Sequence, residues 1–302
     1  MKGRVETSSV TRHIDGMLRV ALLRIGPTAR PTLLLRRVVK PVRTVSRALL
    51  HKRAGLLASG SSDDAGLPSI AASGTNLRFV PSYSDGLAPE LHRLFSSVRG
   101  VSRVVAPGDA VSFDYHCALM SLPGILNCVP NGDFPAYIAA PTPMALDADP
   151  GPKIGLVWAG NPRHANDLNR SRALTEFSPL VRPNLSFYGV QKGPAAHQAP
   201  PPSMQFRDLE DDLHDFQDTA RALMALDLLI TVDTATAHLA GALGRPVWVL
   251  LPLVADWRWL RDRDDSPWYP SMRLFRQNKS GDWKPVFMAV RTVLREILGK
   301  GQ

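Results

Sequence analysis

From residue 76 onward the chain alternates short apolar runs with amphipathic stretches, a pattern that predicts an α/β fold with parallel strands. Five runs in the second half are continuous enough to be strands buried on both faces of a sheet: Lys153 to Ala159, Ser186 to Gln191, Leu228 to Val232, Val247 to Leu251 and Arg273 to Arg276. Helical periodicity falls between them, at about Ala173 to Val181, Phe216 to Ala225 and Thr234 to Leu243, with a last helix from Pro285 to Leu298. The first half reads less regularly. Leu77 to Val80 and Val101 to Val105 are expected strands, Pro89 to Val98 is helix-like, and Phe113 to Leu122 reads as a strand followed by a turn at Ser121, Leu122 and Pro123.

Pro130, Pro135, Pro141, Pro143, Pro150 and Pro152 crowd the interval between Asn127 and Pro152, which reads as a linker crossing a surface. Three segments follow: residues 1–75, a partial α/β domain with its linker at 76–150, and a doubly wound, Rossmann-like domain at 151–302. Sheets of that kind bind ligands beyond the carboxyl ends of their strands, so the residues after each strand are the ones to weigh.

Charge adds information only at the amino terminus. The chain has a formal net charge of +9, and residues 1–75 alone hold 13 Lys and Arg against 4 acids, so the remainder sums to zero. A neutral body offers no basic stripe for specific nucleic-acid recognition. The basic segment itself is broken by Pro27, Pro31 and Pro41, and Arg19, Arg24 and Arg30 interrupt every apolar stretch that a secretory signal would need. It reads as a disordered basic arm, an interfacial membrane anchor making peripheral contact, or non-native sequence. No run of about 18 apolar residues predicts a transmembrane helix. Cys117 and Cys128 are too few for a disulfide framework and lack zinc-site spacing, in keeping with a reducing, cytoplasmic setting.

Chemistry concentrates at the strand ends. The first strand of the second domain runs into Gly160, Asn161, Pro162, Arg163 and His164, with Asn169, Arg170 and Ser171 beyond. Amides and two guanidinium groups at a strand end can hold a pyrophosphate, or can form a polar surface loop. The next strand ends at Gln191 and Lys192, which puts a cation at the same edge. Leu228 to Leu251 is the clearest unit, with Asp233 ending a strand and Thr234 opening a helix whose dipole favours phosphate. Thr234 reads equally as an N-cap, and His238, one turn on, as a packing residue. Asp256, Trp257 and Trp259 follow the next strand and could wall a base or fill core. The acids Glu210, Asp211, Asp212, Asp215 and Asp218 precede a helix and lack a metal-ligating pattern, so the helix dipole accounts for them. No metal and no resident cofactor are expected. A nicotinamide enzyme is disfavoured because no G-x-G-x-x-G follows a strand.

Six blocks occur together in one order: Gly155 to Pro162, Asn169-Arg-Ser, Gln191-Lys-Gly, Asp215 to Ala220, Asp227 to Gly244 and Asp256-Trp-Arg-Trp-Leu. They resemble the glycosyltransferase region associated with tetratricopeptide repeats in bacteria, itself similar to heptosyltransferases. The resemblance implies a GT-B fold, two Rossmann-like domains of which the second binds a nucleotide-sugar. It implies that Asp233, Thr234 and His238 belong to the donor-binding block, with Asn161 and Lys192 on loops that close on phosphate and sugar. By the same resemblance the amino-terminal domain is incomplete. Its Asp114 is the one acid offered as a catalytic candidate, and the catalytic group is otherwise unassigned.

The expected activity is therefore metal-independent transfer of a sugar from a nucleotide-sugar, a substrate rather than a cofactor, to an acceptor that is a protein or a glycan. Its donor-binding set is Asn161, Arg163, Arg170, Gln191, Lys192, Asp233, Thr234, His238, Asp256 and Trp257. The alternative is a catalytically impaired relative that binds sugar-nucleotides or acts as a scaffold.

Overall fold

The computed structural model describes residues 77–80, 87–98, 101, 103–106, 115–118, 135–146 and 151–299. Asp114, Ser121, Cys128 and the whole basic segment lie outside them. The chain divides into two compact units between Asn131 and Gly132. In the first, β1 (Leu77–Val80) pairs in parallel with β2 (Tyr115–Ala118), Leu77 opposite Tyr115. The helix-like stretch between them is a 3-10 turn at Pro89–Leu91 running into α1 (His92–Phe95), with Leu91, Leu94 and Phe95 buried. Val101 to Val105 differs from its expectation. Its described residues form no strand, because the Val105 carbonyl accepts from Leu87 N–H in a loop contact at 3.2 Å.

The second unit is built on a six-stranded, wholly parallel sheet. In chain order its strands are β3 (Lys153–Val157), β4 (Ser186–Gly189), β5 (Phe206–Asp208), β6 (Leu228–Val232), β7 (Val247–Leu251) and β8 (Met272–Arg276). They lie side by side in the order β5, β4, β3, β6, β7, β8. The doubly wound, Rossmann-like expectation for this half of the chain is met. Strand side chains alternate between faces. Ile154, Leu156, Phe187, Leu228, Ile230, Trp248, Leu250 and Phe275 enter one apolar cluster with Phe177, Trp283, Val286, Phe287 and Val290. Leu229, Val247, Val249 and Leu251 are buried toward the other face, where α3 (Phe216–Ala225) and α4 (Ala235–Ala242) lie.

Three elements depart from the sequence pattern for identifiable reasons. The stretch expected as a helix from Ala173 to Val181 is a 3-10 helix, Leu174–Leu180, with Pro179 inside it. Proline removes the donor that an α-helical turn needs, and a tighter turn tolerates the loss. Its first turn is fastened by Glu176, which accepts from the Ala173 N–H at 3.1 Å and pairs with Arg172 at 2.8 Å. β3 stops at Val157 rather than Ala159, because the side chain of Gln191 takes the place of a neighbouring strand: its Oε1 accepts from the N–H of Trp158 at 3.1 Å and of Ala159 at 2.9 Å. β5 carries no apolar run, since a three-residue edge strand needs little.

Between Phe216 and Ala225 sequence and structure agree to the residue. Asp215 caps α3, accepting from the N–H groups of Gln217 and Asp218 at 2.8 and 3.0 Å. The last helix, α5 (Lys284–Gly299), packs on the 3-10 stretch, and the rings of Phe177 and Phe287 meet edge to face at 5.0 Å. Residues 135–146 belong to this unit, lying across two helices. The N–H groups of Tyr137 and Ile138 both donate to the Ala242 carbonyl at the end of α4, and Met144 N–H donates to Arg221 of α3. Among the described residues no helix is long and apolar enough to cross a membrane.

Phe177 is fully buried between the sheet and α5. Replacing it by Ala should cost about 3–5 kcal/mol in urea unfolding of the full chain. A loss below about 1 kcal/mol would show that the 3-10 layer is not part of the cooperative core.

Candidate functional site

The sheet order contains one topological switch point. From β3 the chain proceeds outward through β4 and β5, then returns to β6 on the other side and proceeds outward through β7 and β8. The loops leaving β3 and β6 therefore diverge and open a crevice at the carboxyl edge. Residues 158–171 form one wall, and Asp233 with Thr234 opens the other.

Arg170 bridges the two walls. It ends α2 (Asp167–Arg170), and only 4% of it is exposed. Its Nε donates to Asp167 Oδ1 at 3.2 Å and its Nη1 donates to the Asp233 carbonyl at 2.9 Å. Its Nη2 is buried with no hydrogen-bond partner. The guanidinium lies against Gly160, where any Cβ would overlap it, so only glycine allows this approach. The same Asp167 Oδ1 accepts from Ser171 Oγ at 2.8 Å, and Ser171 Oγ accepts from the Gly160 N–H at 2.8 Å. One carboxylate thus orders both the guanidinium and the loop.

Thr234 is the N-cap residue of α4, yet its side chain makes no capping bond to the helix. Its hydroxyl lies 3.0 Å from that of Thr231, and both are buried. The side-chain cap that would commonly occupy the first-turn N–H groups is therefore not formed, and the positive end of the helix dipole faces the crevice. Asn161 turns the loop after β3, its Oδ1 accepting from Arg163 N–H at 2.9 Å, and Arg163 itself is exposed.

Other candidates are held elsewhere. All four hydrogen bonds that the Gln191 amide can make are directed at the backbone of Trp158, Ala159 and Lys192. Lys192 Nζ donates to the Glu210 carbonyl at 2.9 Å, while Glu210 Oε1 accepts from Gly193 N–H at 2.8 Å. Asp256 caps a short turn, Trp257–Trp259, and pairs with Arg258 at 2.8 Å. Trp257 is exposed with Arg258 over its ring at 5.1 Å, whereas Trp259 is core. This loop adjoins the first wall, since Asn166 Nδ2 donates to the Val254 carbonyl at 3.2 Å. Of the acids, Asp218 pairs with Arg221 and Asp212 with Arg207, each at 3.8 Å.

His238 is buried in α4, stacked on Trp259 at 4.9 Å with its Nδ1 3.1 Å from the Tyr269 hydroxyl. Tyr269 fits because Gly241 faces its ring, leaving no room for a Cβ. Sequence reading missed Asp167 and Tyr269 and named Ser171 without a role of its own. Asp167 had a signal, since Arg170 and Ser171 stand three and four positions after it on one helical turn.

The fold is thus a doubly wound α/β domain with its topological switch point between β3 and β6. No family model matches the chain. Protein FlbA of Caulobacter vibrioides is 32% identical over 179 residues, which is 54% of this chain and 28% of that protein. The chain thus spans little more than a quarter of its curated relative's length. Among solved structures, E. coli ADP-heptose LPS heptosyltransferase II aligns over 52% of this chain and 49% of its own, with TM-score 0.37 and 15% identity. E. coli heptosyltransferase WaaC with ADP aligns over 50% and 46%, with TM-score 0.35 and 17% identity.

Arg170→Ala strands the Asp167 carboxylate without its buried cation and should destabilise the protein by about 3–5 kcal/mol in denaturant unfolding. Arg170→Lys should lose less, because a point charge can still meet Asp167 while losing the second bond to Asp233. Equal losses in the two variants would refute the clamp.

Proposed function

We propose that the crevice between the β3 and β6 loops binds the diphosphate of a nucleotide-sugar, and that the protein is a glycosyltransferase. The observation that carries this reading is Arg170 Nη2, a buried guanidinium nitrogen without a partner beside the uncapped start of α4. A guanidinium that joins the two walls and the first-turn N–H groups of α4 next to it suit an anion with several acceptor oxygens. The six sequence blocks support the same reading, because Gly160, Arg170, Ser171, Asp233 and α4 fall within them.

In this reading the donor lies along the carboxyl edge, with its diphosphate over the first turn of α4 and against Asn161 and Arg170. The Asp233 carboxylate accepts hydrogen bonds from donor hydroxyls. An acceptor hydroxyl displaces the nucleoside diphosphate at the anomeric carbon; the C–O bond to the acceptor forms as the bond to the diphosphate breaks, its electron pair leaves with the diphosphate, and the hydroxyl proton passes to water. Charge developing on the departing phosphate is met by the helix dipole and Arg170, and Lys192 joins them by exchanging its Glu210 carbonyl for phosphate. A nucleotide-sugar donor also fits a cytoplasmic reaction. The acceptor, a protein or a glycan, is assigned to the opposite side of the crevice.

Calorimetry of the full chain with UDP-, GDP- and ADP-sugars tests the proposal. At least one should bind, and Asp233→Ala and Arg170→Lys should each weaken it about tenfold, equivalent to one charge-assisted hydrogen bond. A folded protein that binds none of them would overturn the donor reading.

A further inference from the structure

Thr231 is the one polar residue of β6, whose five positions, Leu228, Leu229, Ile230, Thr231 and Val232, are all buried. It stands two positions after Leu229 and so on the same face of the sheet, the one that α3 and α4 cover. Thr231 is wholly buried, with Val157 and Val249 opposite it on the neighbouring strands. Valine has the same shape and would be favoured at such a position, both by burial and as a strand former. A hydroxyl there has to answer to something other than packing.

Two hydrogen bonds account for it. Thr231 Oγ1 donates to the Val232 carbonyl at 2.7 Å and lies 3.0 Å from Thr234 Oγ1. A hydroxyl has one proton, and that of Thr231 goes to a carbonyl, which can only accept. Between the two threonines the proton therefore comes from Thr234. This bond draws the Thr234 side chain to the strand, and Thr234, although it is the N-cap residue, makes no side-chain bond to the first turn of α4. An N-cap threonine ordinarily turns its oxygen onto the N–H of the second or third helical residue, here Thr236 or Ala237. Thr231 thus diverts the side chain that would otherwise close this helix end. The end in question is also where Arg170 arrives: its Nη1 donates to the carbonyl of Asp233, the residue before the N-cap, and the adjoining Nη2 is buried without a partner.

We propose that Thr231 is a positioning residue for anion binding: by accepting the Thr234 proton it keeps the side-chain cap off α4 and leaves that place at the first turn to the diphosphate. The identity of the anion rests on the donor reading above; the withheld cap rests on the two hydroxyls alone. A cap of this kind strengthens a helix, so the chain gives up stability at α4 in exchange for a ligand site. Capping oxygen and phosphate oxygen compete for the same N–H groups, and Thr231 decides between them.

The experiment uses the full chain with Thr231→Val, Thr231→Ser and the double variant Thr231→Val with Thr234→Val. Amide hydrogen exchange at Thr236 and Ala237 in the ligand-free protein, read by NMR, reports whether the cap forms. Thr231→Val should slow exchange at one of these amides about threefold to tenfold, the scale of one hydrogen bond, without a fall in Tm. The double variant has no hydroxyl left to cap with and should return to the wild-type rate, and Thr231→Ser, which keeps the acceptor, should match wild type throughout. ADP, UDP and GDP then serve as probes in calorimetry, and whichever binds wild type should bind Thr231→Val about threefold to tenfold more weakly. Faster exchange and a lowered Tm in Thr231→Val would reduce Thr231 to packing and overturn the proposal, as would unchanged nucleotide binding in that variant. Slowed exchange in a protein that binds no nucleotide upholds the withheld cap and removes the donor reading instead. If Thr231→Val does not fold, Thr231→Ala removes the same hydroxyl and is judged by the same two measurements.

Discussion

Once parallel strands end, no ladder holds their departing loops together, and at the switch point the loops after β3 and β6 leave in opposite directions. The buried guanidinium of Arg170 is what joins them. It reads the backbone of one wall at the Asp233 carbonyl, and its place is fixed by a carboxylate that also orders the other wall through Ser171 and Gly160. A buried charge pair of this kind contributes little net stability, because desolvation offsets attraction, yet it is costly to break. Its value lies in geometry. The crevice has a defined width because one planar group with donors on three sides spans it.

How the sequence encodes this differs by level. β6, β7 and α3 were legible to the residue, since buried parallel strands are uninterrupted apolar runs and Asp215 marks a helix start without ambiguity. The 3-10 stretch over 174–180 was not, because its apolar spacing mimics an α-helix and only Pro179 argues otherwise. β5 escaped because an edge strand of three residues carries no period. At the site, Asp233, Thr234 and Arg170 were legible as strand-end residues, but their partners were not. Ser171 is named in sequence only as a strand-end hydroxyl until the chain folds it against Gly160, and His238 and its partner Tyr269 stand 31 positions apart in the chain.

The polar residues at the carboxyl edge divide according to what they touch. Gln191 spends its whole amide on backbone and acts as a surrogate strand, which is why β3 can stop short and give its last two residues to the loop. Lys192 is drawn to Glu210, and Asp256 to its own turn. Arg276, whose guanidinium burial pulls its pKa down, supports that last loop by donating to the carbonyls of Trp259 and Arg263. Leu260 and Asp262 adopt left-handed backbone there, at φ 54° each, a conformation held by the contacts around it. The loop is thus braced from beneath while Trp257 and Val254 stay at the surface.

The pairing of β3 with β6 also governs the order in which the molecule can assemble. Asp227, which leads into β6, accepts from the first N–H of β3 across a separation of 74 positions in the chain. The β3 to β4 ladder closes a shorter loop, so local halves of the sheet can form before the centre does. The crevice exists only when the two halves meet along that central seam. Every nascent or partly unfolded form of this chain that lacks the seam therefore lacks the Arg170 to Asp233 bridge as well, and anything bound across that bridge would select the fully joined sheet and no precursor of it.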